Sequence, residues 1–313
     1  MNIYYYVARR LLYAIPILIG VTLVIFLLFN VVIGDPTAVL LGRYATHQQM
    51  AELRHELGLD KSLFVQYLDT LKAALTLDFG DSWATKQAIS SMITLGAYAS
   101  LTFSIPAFVC ASLAAISMAA LAAFFRGTFI DKSLVVISVV MMSISVLAYI
   151  IFGQWVLAYQ LGWFEISGYE YGFPDFVPYV LLPALIWIVL SIGPDVRLYR
   201  TIFLEEVHQD YVRTARAKGL SNQVILFKHI LKNAMIPIIT NLVIQIPSLI
   251  LGALLIESFF GIPGLGNMTL QAINHADFPV VKAMTILSSM LYIIFNVITD
   301  ILYVLVDPRV QLT

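Results

Sequence analysis

The chain has 313 residues, 60% of them apolar and 12% charged, with a formal net charge of −1. A mean hydropathy of +0.88 and charges gathered into a few clusters exclude an ordinary soluble domain, and nucleic acid is not expected as a partner. The single cysteine, Cys110, sits in an apolar run and can form no intrachain disulfide, so packing is its expected role.

A helix needs about 20 mostly apolar residues to cross roughly 30 Å of hydrocarbon. Six stretches qualify, at about 11–33, 95–124, 133–160, 179–196, 236–256 and 283–306. The first follows Arg9 and Arg10, yet it is too long for a cleaved signal and closes on no small-x-small site. It reads as a retained span, and the Arg pair as a topological flank, not an export signal.

The external segment 34–94 is too long for a mere connector and reads as partly helical. THQQMAELRHELGL offers Thr46 as an N-cap, Met50, Leu53 and Leu57 at helical spacing, and Gly58 as a stop. A second amphipathic run, Phe64 to Leu77, follows, and the two are expected to form a small cap on the outer membrane surface. His47 and His55 lie on the first of these helices without a third ligand at good spacing, and read as surface residues.

Lys and Arg counts set the orientation. The segment 34–94 holds five basic and seven acidic residues, and 161–178 holds Glu165, Glu170 and Asp175 with no basic residue. Residues 197–232 hold seven basic residues against Glu205, Glu206 and Asp210, and Arg9, Arg10, Arg126, Lys132 and Arg309 flank other spans on that side. Six spans with both termini in the cytoplasm satisfy every loop.

The charged segment 210–240 reads DYVRTARAKGLSNQVILFKHILKNAMIPIIT. A first helix is expected from Glu205 to Lys218, with acids in its first turn and Arg216 and Lys218 in its last. Gly219 then stops it, and Ser221 caps a second helix through Val224, Phe227 and Leu231, making an elbow. Ala215, Ala217 and Gly219 keep one edge of that elbow thin, which suits insertion into a cleft on another protein. Topology enforcement and contact with anionic lipid is the plainer reading of the same charges.

That segment resembles the EAA loop of the membrane subunits of binding-protein-dependent ABC importers, in its peptide-permease form. Anchored on Gly219, the general consensus is met strictly at Ala215, Gly219 and Leu231, while Arg213 and Lys232 depart as the peptide branch does. LGLDKSLFVQY (57–67), DFGDS (78–82), FFGIPGLG (259–266) and NVITDILYVLVDPRV (296–310) are similar, in order, to motifs of the oligopeptide and dipeptide permease B-type subunits. Ser62 stands where that family usually has Pro, and Thr76 where it usually has Gly. The resemblance implies an all-α, six-span, MetI-like permease of a type I importer in a bacterial or archaeal inner membrane. It also implies a second permease of the C type, two cytoplasmic ATPases, an external binding protein and a peptide substrate. Asp210, Tyr211, Arg213, Thr214, Ala215, Arg216, Ala217, Gly219 and Leu220 are the expected ATPase-coupling residues.

No Gly is followed by Lys, so a phosphate-binding P-loop is missing, and neither H-E-x-x-H nor G-x-S-x-G occurs. The chain is expected to bind no cofactor or metal and to be no enzyme, with ATP and Mg used by partner subunits. GIPGLG reads as a turn before a short outer helix. Polar groups inside spans are the default path candidates: Asn241, Gln245, Asn296 and Ser143, with Ser145 beside the last. Asp195 and Asp300, near the cytoplasmic ends of their spans, read as structurally paired. Pro237 and Pro247 are expected to break or kink the fifth span. The organisation is thus a first span (1–33), an external loop (34–94) and a five-helix core (95–313) carrying the coupling loop (205–235). Other solutes carried by this kind of permease, namely nickel, glutathione or oligosaccharide, are alternatives to peptide. An ion-coupled carrier is disfavoured by the lack of midplane carboxylates and of a visible repeat.

Overall fold

The computed structural model describes residues 3–32, 37, 41, 46–56 and 58–306. Leu57, Arg309, the 33/34 boundary and the 307–310 end of the C-terminal motif lie outside the described residues. Regular structure among the described residues is helical, apart from one isolated bridge between Asp81 and Ala88.

Helix α1 (Ile3–Leu27) continues as π-helical turns Leu28–Val32. Thr46 caps α2 (His47–Glu56): its Oγ1 accepts from Gln49 N, and Gln49 Oε1 accepts in return from Thr46 N and Oγ1. Ser62 caps α3 (Leu63–Thr76) by accepting from Val65 N, so the serine in the usual proline position supplies an N-cap. Helix α3 packs along α1 and does more than cover its end. Tyr67 donates to the carbonyl of Ile19 at 3.1 Å, Asn30 donates to Gln66 at 2.6 Å, and Ala74 is buried with Ile25 and Ile286.

Helix α4 (Ile89–Phe124) carries a ladder of small residues, Ala99, Ala107, Ala111, Ala115, Ala119 and Ala122, each at most 1% exposed. Helix α7 (Val177–Val207) lies along that ladder, the most extensive helix pairing among the described residues. In hydrocarbon no hydrophobic force separates helix from lipid, so close approach over small side chains supplies the packing attraction.

The expected third span, 133–160, is not one straight helix. Helix α5 (Phe129–Ser143) and α6 (Val146–Phe152, continuing as π turns to Gln160) meet at 91°. Ile144 and Ser145 take extended conformations there, and Tyr149 donates to the carbonyl of Met141 at 3.1 Å, closing the corner with a side chain. Among the described residues five helices are long and apolar enough to cross a membrane, and the bent pair counts as the sixth if it is one span.

Past α7 come α8 (Asp210–Ala217), a helical turn Asn222–Val224, a π-helical stretch Ile225–Ile230 and α9 (Leu231–Leu251). Helix α9 runs unbroken through Pro237 and Pro247, so neither proline ends it; the helix stops at Gly252, whose φ is 76°. Helix α10 (Leu254–Phe260), the GIPGLG turn and α11 (Leu265–Asn274) lead into α12 (Phe278–Val306).

Candidate coupling elbow and translocation helices

The expected single helix from Glu205 to Lys218 is two helices. Helix α7 ends at Val207, His208 and Gln209 turn the corner with Gln209 extended, and α8 starts at Asp210 with an acid in its first turn. Eight residues are too few for a stable helix in isolation, since those under about 12–15 residues are marginal in water. Packing holds it instead. Val212 and Ala215 point into a cluster of Tyr199, Phe203, Ile225, Leu226 and Ile230, and burying a side chain such as Val212 contributes about 1.5–3 kcal/mol.

Burial divides the expected coupling residues. Asp210, Arg213, Thr214, Arg216, Ala217, Gly219 and Leu220 are exposed, Tyr211 is half-buried, and Ala215 is only 5% exposed. Ala215 therefore thins the inner contact of α8, not its outer edge. Arg213 reaches Asp210 at 3.4 Å, while among the described residues no carboxylate pairs with Arg216 or Lys218. Gly219 sits at φ 76°, where a side chain is strained, and its N–H donates to Arg216 O at 2.9 Å, ending the helix. Ser221 accepts from Val224 N and opens the next turn, as its position implies.

Polar contacts brace the corner. Tyr211 donates to a carboxylate oxygen of Glu206, and burial followed by that carboxylate pushes its phenol up to about 12. Arg200 grips Asp131 at the start of α5 through two bonds of 2.7 and 3.0 Å, with Gly127 N donating to the same carboxylate at 3.0 Å. Arg126, between α4 and α5, lies 2.8 Å from His208 Nε2. Sequence reading passed over Asp131. Its one signal was an acid in the first turn of an otherwise apolar run, and only the fold supplies Arg200, 69 positions away.

The span residues separate too. Asn241 donates to Tyr199 at 3.1 Å and Gln245 to Asp195 at 3.3 Å, so both lie on one face of α9 and tie it to α7. Asp195 is paired, by an amide. Asp300 meets Arg10 at 2.9 Å across the α12–α1 contact, the arginine pairing that its place near a span end suggests. Asn296 is exposed and follows Thr285, Ser288, Ser289 and Tyr292 along one side of α12. Tyr292 lines two small cavities on that side, of about 260 and 360 Å³, and Asn296 lines the first. Ser143 is the last residue of α5 at the 91° corner, its hydroxyl donating to Val139 O.

Compared with known families, residues 111–312 match the binding-protein-dependent transport system inner membrane component, and residues 3–93 match the N-terminal part of such membrane components. The chain belongs to this permease family. It is similar over 98% of its length to a probable peptide ABC transporter permease of Sinorhizobium fredii, at 33% identity with 99% of that protein covered. A di/tripeptide transport system permease of Pseudomonas aeruginosa is 34% identical over 98% of both chains. A glutathione transport system permease of Salmonella typhimurium is 31% identical over 98% of both.

The permease holds one further polar centre that sequence reading missed. Glu257 of α10 is fully buried, and its carboxylate accepts from Ser100 Oγ at 2.7 Å, Asn267 N at 2.9 Å and Ala253 N at 3.2 Å. Ser100 in turn accepts from Leu265 N at 2.9 Å. A Cβ on Gly252, Gly264 or Gly266 would come within 3 Å of that carboxylate, so Gly252 and the last two glycines of GIPGLG serve close approach to an anion of the same chain. The signal was the acid in ESFFGIPGLG, seven to nine residues ahead of two glycines.

Proposed function

We propose that this permease forms, together with a distinct C-type permease, the path by which di- or oligopeptides cross the membrane. An external binding protein delivers the peptide, and two ATPases, which hold the ATP and Mg, dock on the elbow. The chain itself binds no cofactor or metal. The observation that carries the reading is α8: its inner face is fixed by Val212 and Ala215, and its outer face presents Arg213, Thr214, Arg216 and Ala217. A short helix held rigidly on one side and charged on the other can transmit a push instead of absorbing it. In this assignment Asp210, Arg213, Thr214, Arg216, Ala217, Gly219 and Leu220 meet the ATPase, while Tyr211 and Ala215 position the helix.

The elbow and both termini face the cytoplasm, in keeping with the loop charges. ATPase closure pulls α8, and α7 and α9, joined by the Asn241 and Gln245 bonds, rock together. Asn241 and Gln245 thus bear on the path by locking its walls, Asn296 by lining it beside Tyr292, and Ser143 by its place at the corner of the bent span. Peptide as the substrate is supported by the names of the Sinorhizobium and Pseudomonas relatives. Glutathione, itself a tripeptide, is the second reading, because the Salmonella relative bears that name.

Gly219→Glu tests the coupling role. The variant should insert to the wild-type level by immunoblot while uptake of a labelled dipeptide falls at least about tenfold, the ratio equivalent to 1.4 kcal/mol. Wild-type uptake by a correctly inserted variant defeats the docking assignment. Uptake of labelled dipeptide, tetrapeptide and glutathione by cells with and without the permease decides the substrate.

A further inference from the structure

One cavity is unused by the coupling scheme. It has a volume of about 910 Å³ and lies between the end of α1, helix α3, the 79–86 loop and the start of α12. Four cationic side chains line it, Arg54, Lys61, Lys86 and Lys282, against the carboxylates Asp69 and Asp81. Lys61 takes up Asp69 at 2.9 Å. Lys282 has only neutral partners: it donates to Thr70 Oγ1 at 2.8 Å and lies 5.5 Å from the ring of Phe26, and among the described residues no carboxylate pairs with it. Thr70 occupies one of the three ammonium donors.

Depth matters here. Asn30 ends the apolar stretch Val7–Asn30 of α1, and Lys282 lies one turn into the stretch Phe278–Leu302 of α12, so the cavity sits where two spans leave the hydrocarbon. That is headgroup level, where a phosphate is found and where the ammonium of a lysine near a span end comes to lie. Phe29, Trp83 and Phe278 form an edge-to-face wall beside it, with centroids 6.4 and 6.1 Å apart, of the aromatic kind that borders lipid headgroups.

We propose that this cavity binds a phosphate group, that of an anionic phospholipid headgroup or a free phosphate, with Lys282 as its central cation and Lys86 at its rim. The bound anion joins α1, α3 and α12, adding to the Asn30–Gln66 and Lys282–Thr70 bonds and the apolar packing that connect them at this point.

The test is native mass spectrometry of the whole purified transporter, titrated separately with phosphatidylglycerol, phosphatidylcholine and inorganic phosphate. Wild type should retain phosphatidylglycerol about fivefold better than Lys282→Gln, the ratio equivalent to the ~1 kcal/mol that one cation contributes at an anionic surface. Lys282→Arg, which keeps the charge, should retain it, and Lys86→Gln should lose less. Retention of inorganic phosphate, lost in Lys282→Gln, with no preference for phosphatidylglycerol, identifies free phosphate as the source. Equal retention of every probe by wild type and Lys282→Gln overturns the site. Should Lys282→Gln fail to assemble, equal retention by wild type and Lys86→Gln, together with no preference for phosphatidylglycerol over phosphatidylcholine, overturns it as well.

Discussion

Glu257 shows what a single buried carboxylate demands of its neighbours. Burial away from water makes each unmet hydrogen bond cost about 1–3 kcal/mol, so the chain surrounds this side chain with donors from Ser100, Ala253 and Asn267 and clears space with glycine. Glu257→Ala leaves Ser100 and two backbone N–H groups unpaired. The expected loss is several times that of a surface change, read as a fall in the thermal midpoint of the purified permease. Gly252→Ala should be comparably severe by a different route, since its backbone is at φ 76° and the new Cβ would lie 2.0 Å from Glu257 Oε1. A midpoint unchanged in both variants would show that the nest contributes nothing. ESFFGIPGLG was legible as a turn before a helix, but that Gly264 and Gly266 flank a buried anion was not, because Ser100, which holds that anion, lies 157 positions from Glu257.

At the scale of elements, the elbow is held by a cap, a glycine and a phenol, and each can be tested. Ser221→Ala removes the cap of the Asn222–Val224 turn and should destabilise the elbow by about 1 kcal/mol, seen as faster proteolysis between 217 and 224. Tyr211 gives a pH signature. Its phenol has an ordinary value of 10.0 and is raised to about 12 in the fold, so the folded state favours the protonated hydroxyl that donates to Glu206. A raised value means the contribution is whole below pH about 10 and disappears as pH climbs through about 12. Elbow proteolysis in wild type should therefore rise across that window, and Tyr211→Phe, which has no phenol to ionise, should show no such step. Capping and turn residues such as Thr46, Gly58, Gly219 and Ser221 were readable because their reasons are local. The corner at His208 and Gln209 was not, because α7 stops where Val212 and Ala215 must meet Phe203 and Ile225.

For the whole molecule, orientation is the property most open to direct measurement. With the elbow inside, a cysteine replacing exposed Arg216 should react with an impermeant maleimide only from the cytoplasmic side, and one replacing Glu170 only from outside. Labelling of both from one side is incompatible with an odd number of crossings between them, here α7 alone. Uptake should also require the partner ATPases, and uptake that persists after their deletion would favour an ion-coupled carrier.

Hydropathy, loop charge and motif order determined by themselves that this is a multi-span permease, because membrane solvation acts on every residue of a span and leaves a long, redundant trace. A tertiary arrangement alone decided that Asn241 and Gln245 bond α7, that Asp131 meets Arg200, that the third apolar stretch folds at 91°, and that Lys282 borders a cavity. Apart from the bend, which a contact spanning eight residues closes, each depends on a partner dozens or hundreds of residues away, and a single pairwise contact imposes no period on the chain from which it could be read.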